Sequence, residues 1–445
     1  MRLAEWSDRV RHSLWFIPAV CTVVAGAAAL GLVWLSSVTD LQATSLPFVF
    51  SAGVDGARAM LQAIAGSIIT VAGVVFSITI VALQLTSTQF SPRVLRNFMR
   101  DRSNQLVLGV FMATFTYALL VLRSIRSEDE SAAAFVPAFA ITGALLLTLV
   151  SLGMLIYFIH HISVRIQVTS IVASVADDTL NAIEDVARWG RRDEERSWQP
   201  ADGGAQVTTP PSGAIPIEAL TASERLLPAG ESGYLQLIDI GRLVAEARDA
   251  NGRFRLLVAP GAWVTQWVPC AAFEPHGDEP DLERLAEALE EAMGVGHERS
   301  MTNDVAFGIQ QLVDVAIKAL SPSMNDPTTA INCIDRLVQV LVAAGAIFDP
   351  PRAFTDADGT LRLEMPTPGF DELVDLSFDQ VRHYGATTPA LAIHLARAFS
   401  MLGSLPPHRH AAVRRQARLL ADAARAIANE EERRRVLEAI DPLLD

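Results

Sequence analysis

The chain has 445 residues, a formal net charge of −14 and a positive mean hydropathy of +0.28. The hydropathy indicates concentrated apolar segments, and the acidic balance excludes a nucleic-acid partner, because a phosphate backbone needs a basic footprint. Cys21, Cys270 and Cys333 are too few and too far apart for a disulfide framework or a zinc site. The sequence as a whole shows no metal-binding or nucleotide-binding signature, and we expect no metal and no cofactor.

Four uncharged, mostly apolar runs dominate the first third of the chain, at residues 14–35, 64–85, 105–122 and 135–159. A helix needs about 20 apolar residues to cross ~30 Å of hydrocarbon, and its backbone groups must be satisfied within the segment. These runs predict a four-helix transmembrane domain over residues 1–163.

The arginines near the ends of these runs predict how the chain is oriented in the membrane. The basic group comprises Arg2, Arg9 and Arg11 in the tail, and Arg93, Arg96, Arg100 and Arg102 after the second run. The loops after the first and third runs carry fewer arginines and more acidic residues. The sequence therefore predicts that the N- and C-termini are both cytoplasmic.

The second run carries a stripe of polar residues at spacings of three or seven: Ser67, Thr70, Ser77, Gln84 and Ser91. Gly66, Gly73 and Ser87 lie on the adjoining strip. Small and hydroxylated residues let helices approach closely and bond to each other. The same stripe is also typical of the lining of a wet pathway, so helix packing and a polar pathway both remain open.

The remaining sequence predicts a soluble α+β region. A helical extension (164–189) is followed by a linker rich in Gly and Pro (190–214), a small barrel-like β-rich module (215–275) and a mostly helical domain (281–445). Strands are expected at 234–240, 253–258 and 262–268, with a helix at 241–250. Helices are expected at 281–293, 303–319, 328–344, 370–384, 389–403, 411–429 and 430–440, with a loop or hairpin at 349–363.

The densest polar cluster is the segment ALSPSMNDPTTA. Asp326 suits a helix N-cap and Pro327 suits the first helical position. The helix start could receive an anion, or the oxygens could bind a cation; a capped corner that binds nothing is the third interpretation. The candidate ligand-binding residues are Ser321, Asn325, Asp326, Thr328 and Thr329.

No established catalytic motif is present in the sequence. The HERSM segment at His297 lacks the second histidine of a zinc protease, and no GxSxG elbow, P-loop or GxGxxG loop occurs. We therefore predict no catalytic residues, and an enzyme is the least favoured class.

Several segments together resemble a known family. ALSPSMNDPTTA, the preceding RSMTNDVAFGIQQLVD, QFSPRVLRNFMRD, and SGYLQLIDI with PGAWV are similar to the domain of unknown function 2254 family of bacterial predicted membrane proteins. The resemblance covers nearly the whole chain and implies a protein of the bacterial plasma membrane with this layout, but it implies no reaction. Ala262 stands where an acidic residue is expected, which weakens a charge-based role for that turn.

Two functions follow as hypotheses. The first is a channel, transporter or transport-associated protein with a cytoplasmic regulatory domain. The second is a membrane-anchored sensor or scaffold that binds a small ligand or a protein partner. Besides the lipid bilayer, we expect a homo-oligomer as partner, since small residues in the spans favour helix association, and a small ligand or ion remains open.

Overall fold

The computed structural model describes residues 15–38, 53–89, 102–126, 135–165, 167–191, 196–201, 223–277 and 279–444; side chains are described to residue 84 in the second of these ranges and to residue 164 in the fourth. The chain divides into two compact units, unit 1 from Met1 to Ser170 and unit 2 from Ile171 to Asp445. The predicted fold class, a helical transmembrane bundle followed by a soluble α+β region, is confirmed.

Unit 1 contains four long apolar helices among its described residues: α1 (Phe16–Val38), α2 (Val54–Gln89), α3 (Arg102–Ser124) and α4 (Ala138–Arg165). Each contains most of one predicted run and extends beyond it at one or both ends. The largest extension is at α2, which begins about three turns before residue 64, because a helix continues past the apolar run into more polar positions such as Asp55 and Arg58.

Helix α3 lies at the centre of unit 1 and packs against the other three helices. The Tyr117 hydroxyl donates to the Ala140 carbonyl at 2.9 Å, and Thr114 and Ser151 share a hydrogen bond of 2.8 Å. These bonds satisfy polar groups that would be costly in lipid. The outward faces of the helices expose large apolar side chains such as Val74 and Leu149, as expected of a surface that contacts lipid.

Unit 2 begins with α5 (Val168–Ala187), whose first residues precede the boundary between the units. The predicted extension 164–189 thus comprises the end of α4 and the separate helix α5. The next elements are β1 (Trp198–Pro200), β2 (Arg225–Pro228), β3 (Gly233–Ile238), α6 (Ile240–Asp249), β4 (Gly252–Leu256), β5 (Trp263–Val264), β6 (Pro269–Pro275), α7 (Leu282–Ala292) and β7 (Met293–Gly296).

The strands form two sheets in place of the barrel-like module that was expected. One has six strands in the order β1-β8-β9-β4-β6-β2, where β8 is Ala353–Asp356 and β9 is Leu361–Glu364; the other has three strands in the order β5-β3-β7. All pairs are antiparallel except β4 with β9. The apolar core of this β region includes Phe254 and Phe273, which meet edge to face at 5.0 Å.

The sheets extend beyond residues 215–275, the predicted bounds of the β-rich module. Strand β1 lies within the predicted linker, because Trp198 packs edge to face on Phe354 of the neighbouring strand at 5.3 Å. Strands β8 and β9 form a hairpin at the predicted loop 349–363, and that hairpin joins the larger sheet.

The C-terminal part of unit 2 is helical, as predicted: α8 (Val305–Ala319), α9 (Pro327–Ile347), α10 (Phe370–Gly385), α11 (Pro389–Leu402), α12 (His410–Ala424) and α13 (Glu430–Ile440). The helix predicted at 411–429 ends at Ala424, because Asn429 caps the next helix by accepting from the Glu432 N–H at 3.0 Å. Helix α9 is a fifth helix apolar enough to span a membrane. It packs against α8, α10 and α11 within unit 2, and its Asp335 bonds to His394 at 2.7 Å.

Candidate functional site

The predicted ligand-binding corner lies where the chain turns from α8 into α9. The Asp326 N–H donates to the Ala319 carbonyl at 2.9 Å. The Asp326 carboxylate accepts the Thr329 N–H at 3.1 Å and the Thr329 hydroxyl at 2.5 Å. Asp326 is therefore the N-cap of α9, and Pro327 is the first residue of that helix.

The other predicted residues belong to the same corner. The Ser321 hydroxyl donates to the Lys318 carbonyl at 2.7 Å. Asn325 has a positive φ of 45°, a conformation that asparagine tolerates better than most residues. Asn325 and Thr328 are exposed, whereas Thr329 is buried. The corner thus contains all five residues, and Ser321, Asp326 and Thr329 use their side chains for bonds within it. Ligand binding there stays a prediction.

The predicted polar stripe lies on the outside of unit 1. Ser67, Thr70, Ser77 and Gln84 are all exposed, and Ser91 lies outside the described residues. The hydroxyls donate to carbonyls of their own helix, Thr70 to Gly66 at 2.8 Å and Ser77 to Gly73 at 2.9 Å. The stripe therefore does not serve packing within the described bundle.

A regular seam of small residues becomes visible once the exposed face of α2 is known. The exposed residues Ala59, Ala63, Gly66, Thr70, Gly73 and Ser77, here called the α2 seam, alternate in spacings of four and three. A Cβ added at Gly66 or Gly73 would meet no atom of the described residues within 4 Å. At about 100° per residue the seam lies roughly opposite the buried positions Ile68 and Val75. This heptad spacing is typical of a left-handed helix–helix contact.

A second cluster joins three segments that carried the family resemblance. Asp304 is 4% exposed and caps α8 by accepting the Phe307 N–H at 3.0 Å. Its other oxygen accepts from both Nε and Nη2 of Arg299, at 2.8 and 2.6 Å. Gly261 of the PGAWV segment lies directly against this pair: a Cβ there would fall 1.8 Å from Asp304 Oδ2. We call Gly261, Arg299 and Asp304 the α8 junction.

Strand β3, the SGYLQLIDI segment, completes the surroundings of the α8 junction. The Gly261 N–H donates to the Leu235 carbonyl at 2.8 Å, and the Ile238 N–H donates to Asn303 Oδ1 at 3.3 Å. The Gln236 amide donates to the Glu298 carbonyl. Burial raises the pKa of the Asp304 carboxyl above its usual value, while Arg299 and the Phe307 N–H oppose that shift. The α8 junction is thus a buried ion pair that connects the smaller sheet with the start of α8.

Sequence reasoning anticipated only part of this junction. It assigned Asn303-Asp304 to a helix start, but it did not connect Asp304 with Gly261, 43 residues earlier in the sequence. The only signal in the sequence was that the PGAWV turn and the RSMTND segment both contribute to the same family resemblance. A shared resemblance identifies the two segments, but it does not show that they are in contact.

A buried cluster of charges on the six-stranded sheet was also missed. Glu364, on β9, has a fully buried side chain and accepts from Arg253 Nη1 at 2.9 Å. Arg255, two residues along β4 on the same face, pairs with the buried Glu224 at 2.9 Å, and Arg253 also pairs with Glu274 at 2.5 Å. The signal in the sequence was the alternation Arg253-Phe254-Arg255 within a strand, which places two charges on one face.

An apolar four-helix bundle followed by a mixed α+β unit defines a multi-pass membrane protein. The chain belongs to the family described as "Predicted membrane protein (DUF2254)", whose family model matches residues 11–401. This confirms the resemblance stated above.

The relatives include an uncharacterized protein of Mycobacterium bovis and uncharacterized proteins of two strains of Mycobacterium tuberculosis. Each is 32% identical to this chain, in an alignment that covers 97% of this chain and 80% of the relative. No solved structure matches the chain.

Proposed function

We propose that this protein is a homo-oligomeric channel or transporter of the bacterial plasma membrane, in which α2 helices of neighbouring copies face one another and line the route. The observation that carries the proposal is the exposure of the α2 seam on the side of α2 opposite its packed face. Glycine and hydroxyl groups gain little from contact with lipid, whereas they permit close approach between helices.

The chemistry of the hydroxyl groups favours cations or water as the solute. Thr70 and Ser77 each donate their proton to a carbonyl of their own helix, so each oxygen offers lone pairs away from that carbonyl. Oxygen acceptors that replace a hydration shell are the usual lining of cation pathways.

The orientation within the membrane belongs to the same proposal. The arginine-rich N-terminal tail and the arginine-rich loop after the second run favour cytoplasmic placement of both termini. Unit 2 is then a cytoplasmic domain large enough to regulate the route, through the Ser321–Thr329 corner if that corner binds a small ligand or ion.

A membrane-anchored sensor or scaffold is the second candidate. One observation favours it: the Thr70 and Ser77 hydroxyls are already satisfied within α2, so the seam can serve as a dry helix contact. In that case copies still associate through α2, but no solute passes.

The test is cation flux in liposomes that contain the purified full chain. We expect flux in the wild type, a several-fold decrease in Ser77→Ala, which removes one oxygen, and near-complete loss in Ser77→Leu, which fills the route. The matched control is Ile78→Leu, at an exposed apolar position outside the seam, and it should leave flux unchanged.

Cross-linking separates the two candidates. With Gly73→Cys, we expect a disulfide between copies on oxidation, because Gly73 lies in the seam and the described part of the chain leaves space for a side chain there. Cross-linking together with flux supports the channel or transporter. Cross-linking with silent liposomes favours the scaffold, and the absence of both contradicts the α2 contact itself.

A further inference from the structure

Strand β5 and the loop that joins it to β6 expose large apolar side chains at the surface of unit 2. Trp263 is 54% exposed, Trp267 is 77% exposed and Val268 is 54% exposed. The other two tryptophans of unit 2, Trp189 and Trp198, pack against the core of the β region. We call residues 259–268 the tryptophan loop.

The tryptophan loop is held in place by a set of backbone bonds. Strand β5 pairs with β3, and the Leu235 N–H donates to the Ala262 carbonyl at 2.9 Å. The Val268 N–H donates to the Thr265 carbonyl at 3.3 Å, and the Gln266 N–H to the Ser232 hydroxyl at 3.3 Å. Trp263 also meets Tyr234 edge to face at 4.9 Å. The exposed rings are therefore presented by an ordered scaffold.

The sequence around the loop is free of charge. No Asp, Glu, Lys or Arg occurs from Leu256 to Phe273, in a chain where these residues make up 19% of the total. A segment that meets water normally carries charged residues, and an ordered segment without them that exposes large apolar side chains is typical of a binding site.

We propose that the tryptophan loop binds the interfacial layer of the lipid bilayer. Tryptophan favours this layer because its ring is apolar and its N–H can bond to headgroups and water. The chain crosses a bilayer, so that surface is present at high effective concentration around a covalently attached domain. The proposal concerns lipid contact by unit 2 and holds whether or not the protein transports a solute.

Because the tryptophan loop lacks charged residues, its binding to lipid should not depend on the charge of the headgroups. A basic loop would bind anionic headgroups and would weaken in salt, whereas this loop inserts through its rings and Val268. Its binding should therefore be the same in phosphatidylcholine and in mixtures with phosphatidylglycerol, and independent of ionic strength.

The test uses a nitroxide spin label on the full chain in nanodiscs. The label is placed by Gln266→Cys, which keeps both tryptophans and the backbone bond of residue 266. The control label is placed by Ala411→Cys, at an exposed position on α12. Cys270 and Cys333 are buried, and the unsubstituted chain measures the labelling background that remains, including that of Cys21.

The readout is collision of the label with oxygen, which concentrates in lipid, and with a water-soluble nickel chelate. At residue 266 we expect oxygen contact to exceed nickel contact several-fold in both lipid mixtures, and the reverse at residue 411. Adding Trp263→Ser and Trp267→Ser to Gln266→Cys should return the label to water. That variant is used only if it elutes as the parent does.

Three outcomes would overturn the proposal. A label at residue 266 that is as accessible to nickel as the label at residue 411 means that the loop lies in water. A label shielded from both oxygen and nickel means that protein, such as a second copy, covers the loop. Insertion that requires phosphatidylglycerol means that charge, and not the rings, drives the contact.

Discussion

Gly261 and Gly359 make a matched pair at the scale of single residues. Both have a left-handed backbone, with φ of 82° and 81°, which favours glycine over any other residue. A Cβ at Gly359 would meet nothing within 4 Å among the residues that the structure describes, whereas a Cβ at Gly261 would collide with the Asp304 carboxylate and approach Arg299 Nη2 at 2.8 Å. Alanine variants at the two positions therefore distinguish the cost of backbone strain from the cost of disrupting the α8 junction.

We expect Gly359→Ala to lower the free energy of unfolding of unit 2 by about 1–2 kcal/mol, the cost of the left-handed conformation. Gly261→Ala should cost about 3–5 kcal/mol, because it also separates a buried ion pair and disturbs the cap of α8. The first measurement is urea unfolding of the full chain in detergent. The second is amide hydrogen exchange in α8. Equal losses for the two variants would mean that the junction contributes nothing beyond backbone conformation.

The β8–β9 hairpin is an element whose stability should depend on pH. Asp356 accepts from Arg362 Nε at 2.7 Å and from the N–H groups of Asp358 and Thr360 at 3.1 and 2.9 Å. Burial acts to raise the pKa of Asp356, but these bonds to the carboxylate outweigh burial, and the pKa lies below its usual value. The carboxylate thus stabilises the hairpin at and above about pH 4, and this stabilisation is lost as the pH falls below that value.

Asp356→Asn should therefore lower hairpin stability by about 1–3 kcal/mol at pH 7 and should make it less dependent on acid. The measurement is amide exchange of residues 353–364 between pH 7 and pH 3. Asp358→Asn is the control, because the Asp358 side chain is exposed and only its N–H bonds to Asp356. An acid response of Asp356→Asn as steep as that of the wild type would contradict this account.

The sequence predicted helices and strands correctly where nearby residues determine their type and their bounds. Helix α9 begins at Pro327, one residue from its predicted start, because Asp326 and Pro327 encode the cap within three residues. Strands β8 and β9 were predicted only as a loop or hairpin, since their pairing with β1 and β4 depends on segments about 100 residues or more away. The polar residues of α2 were likewise identified, but which face they occupy depends on how α3 packs against that helix.

At the scale of the whole unit, the buried charge cluster ties four separate segments together. Glu364, on β9, bonds to Arg253 on β4; Arg253 also pairs with Glu274 on β6, and Arg255 with Glu224, just before β2. Pairing between Glu364 and the arginines compensates the desolvation of the buried groups. Removing the central charge should therefore loosen the larger sheet as a whole.

We expect Glu364→Gln to lower the free energy of unfolding by about 3–5 kcal/mol, because it removes a buried counter-charge from two arginines. These are Arg253 at 2.9 Å and Arg255, whose Nε lies 3.7 Å from Glu364 Oε2. Glu274→Gln, at a side chain that is 24% exposed, should cost about 1 kcal/mol or less. Thermal unfolding of the full chain in detergent measures both. A loss for Glu364→Gln no larger than that for Glu274→Gln would show that the cluster is screened by water.

The parallel pairing of β4 with β9 also has a consequence for biosynthesis. Strand β4 is complete at Leu256, but its neighbour on one side is translated more than a hundred residues later. At a ribosomal rate of about 5–20 residues per second, the open edge of β4 waits roughly 5–20 s for its partner. An exposed strand edge is a template for aggregation, so we expect truncated products that end before residue 361 to associate through the open edge of β4.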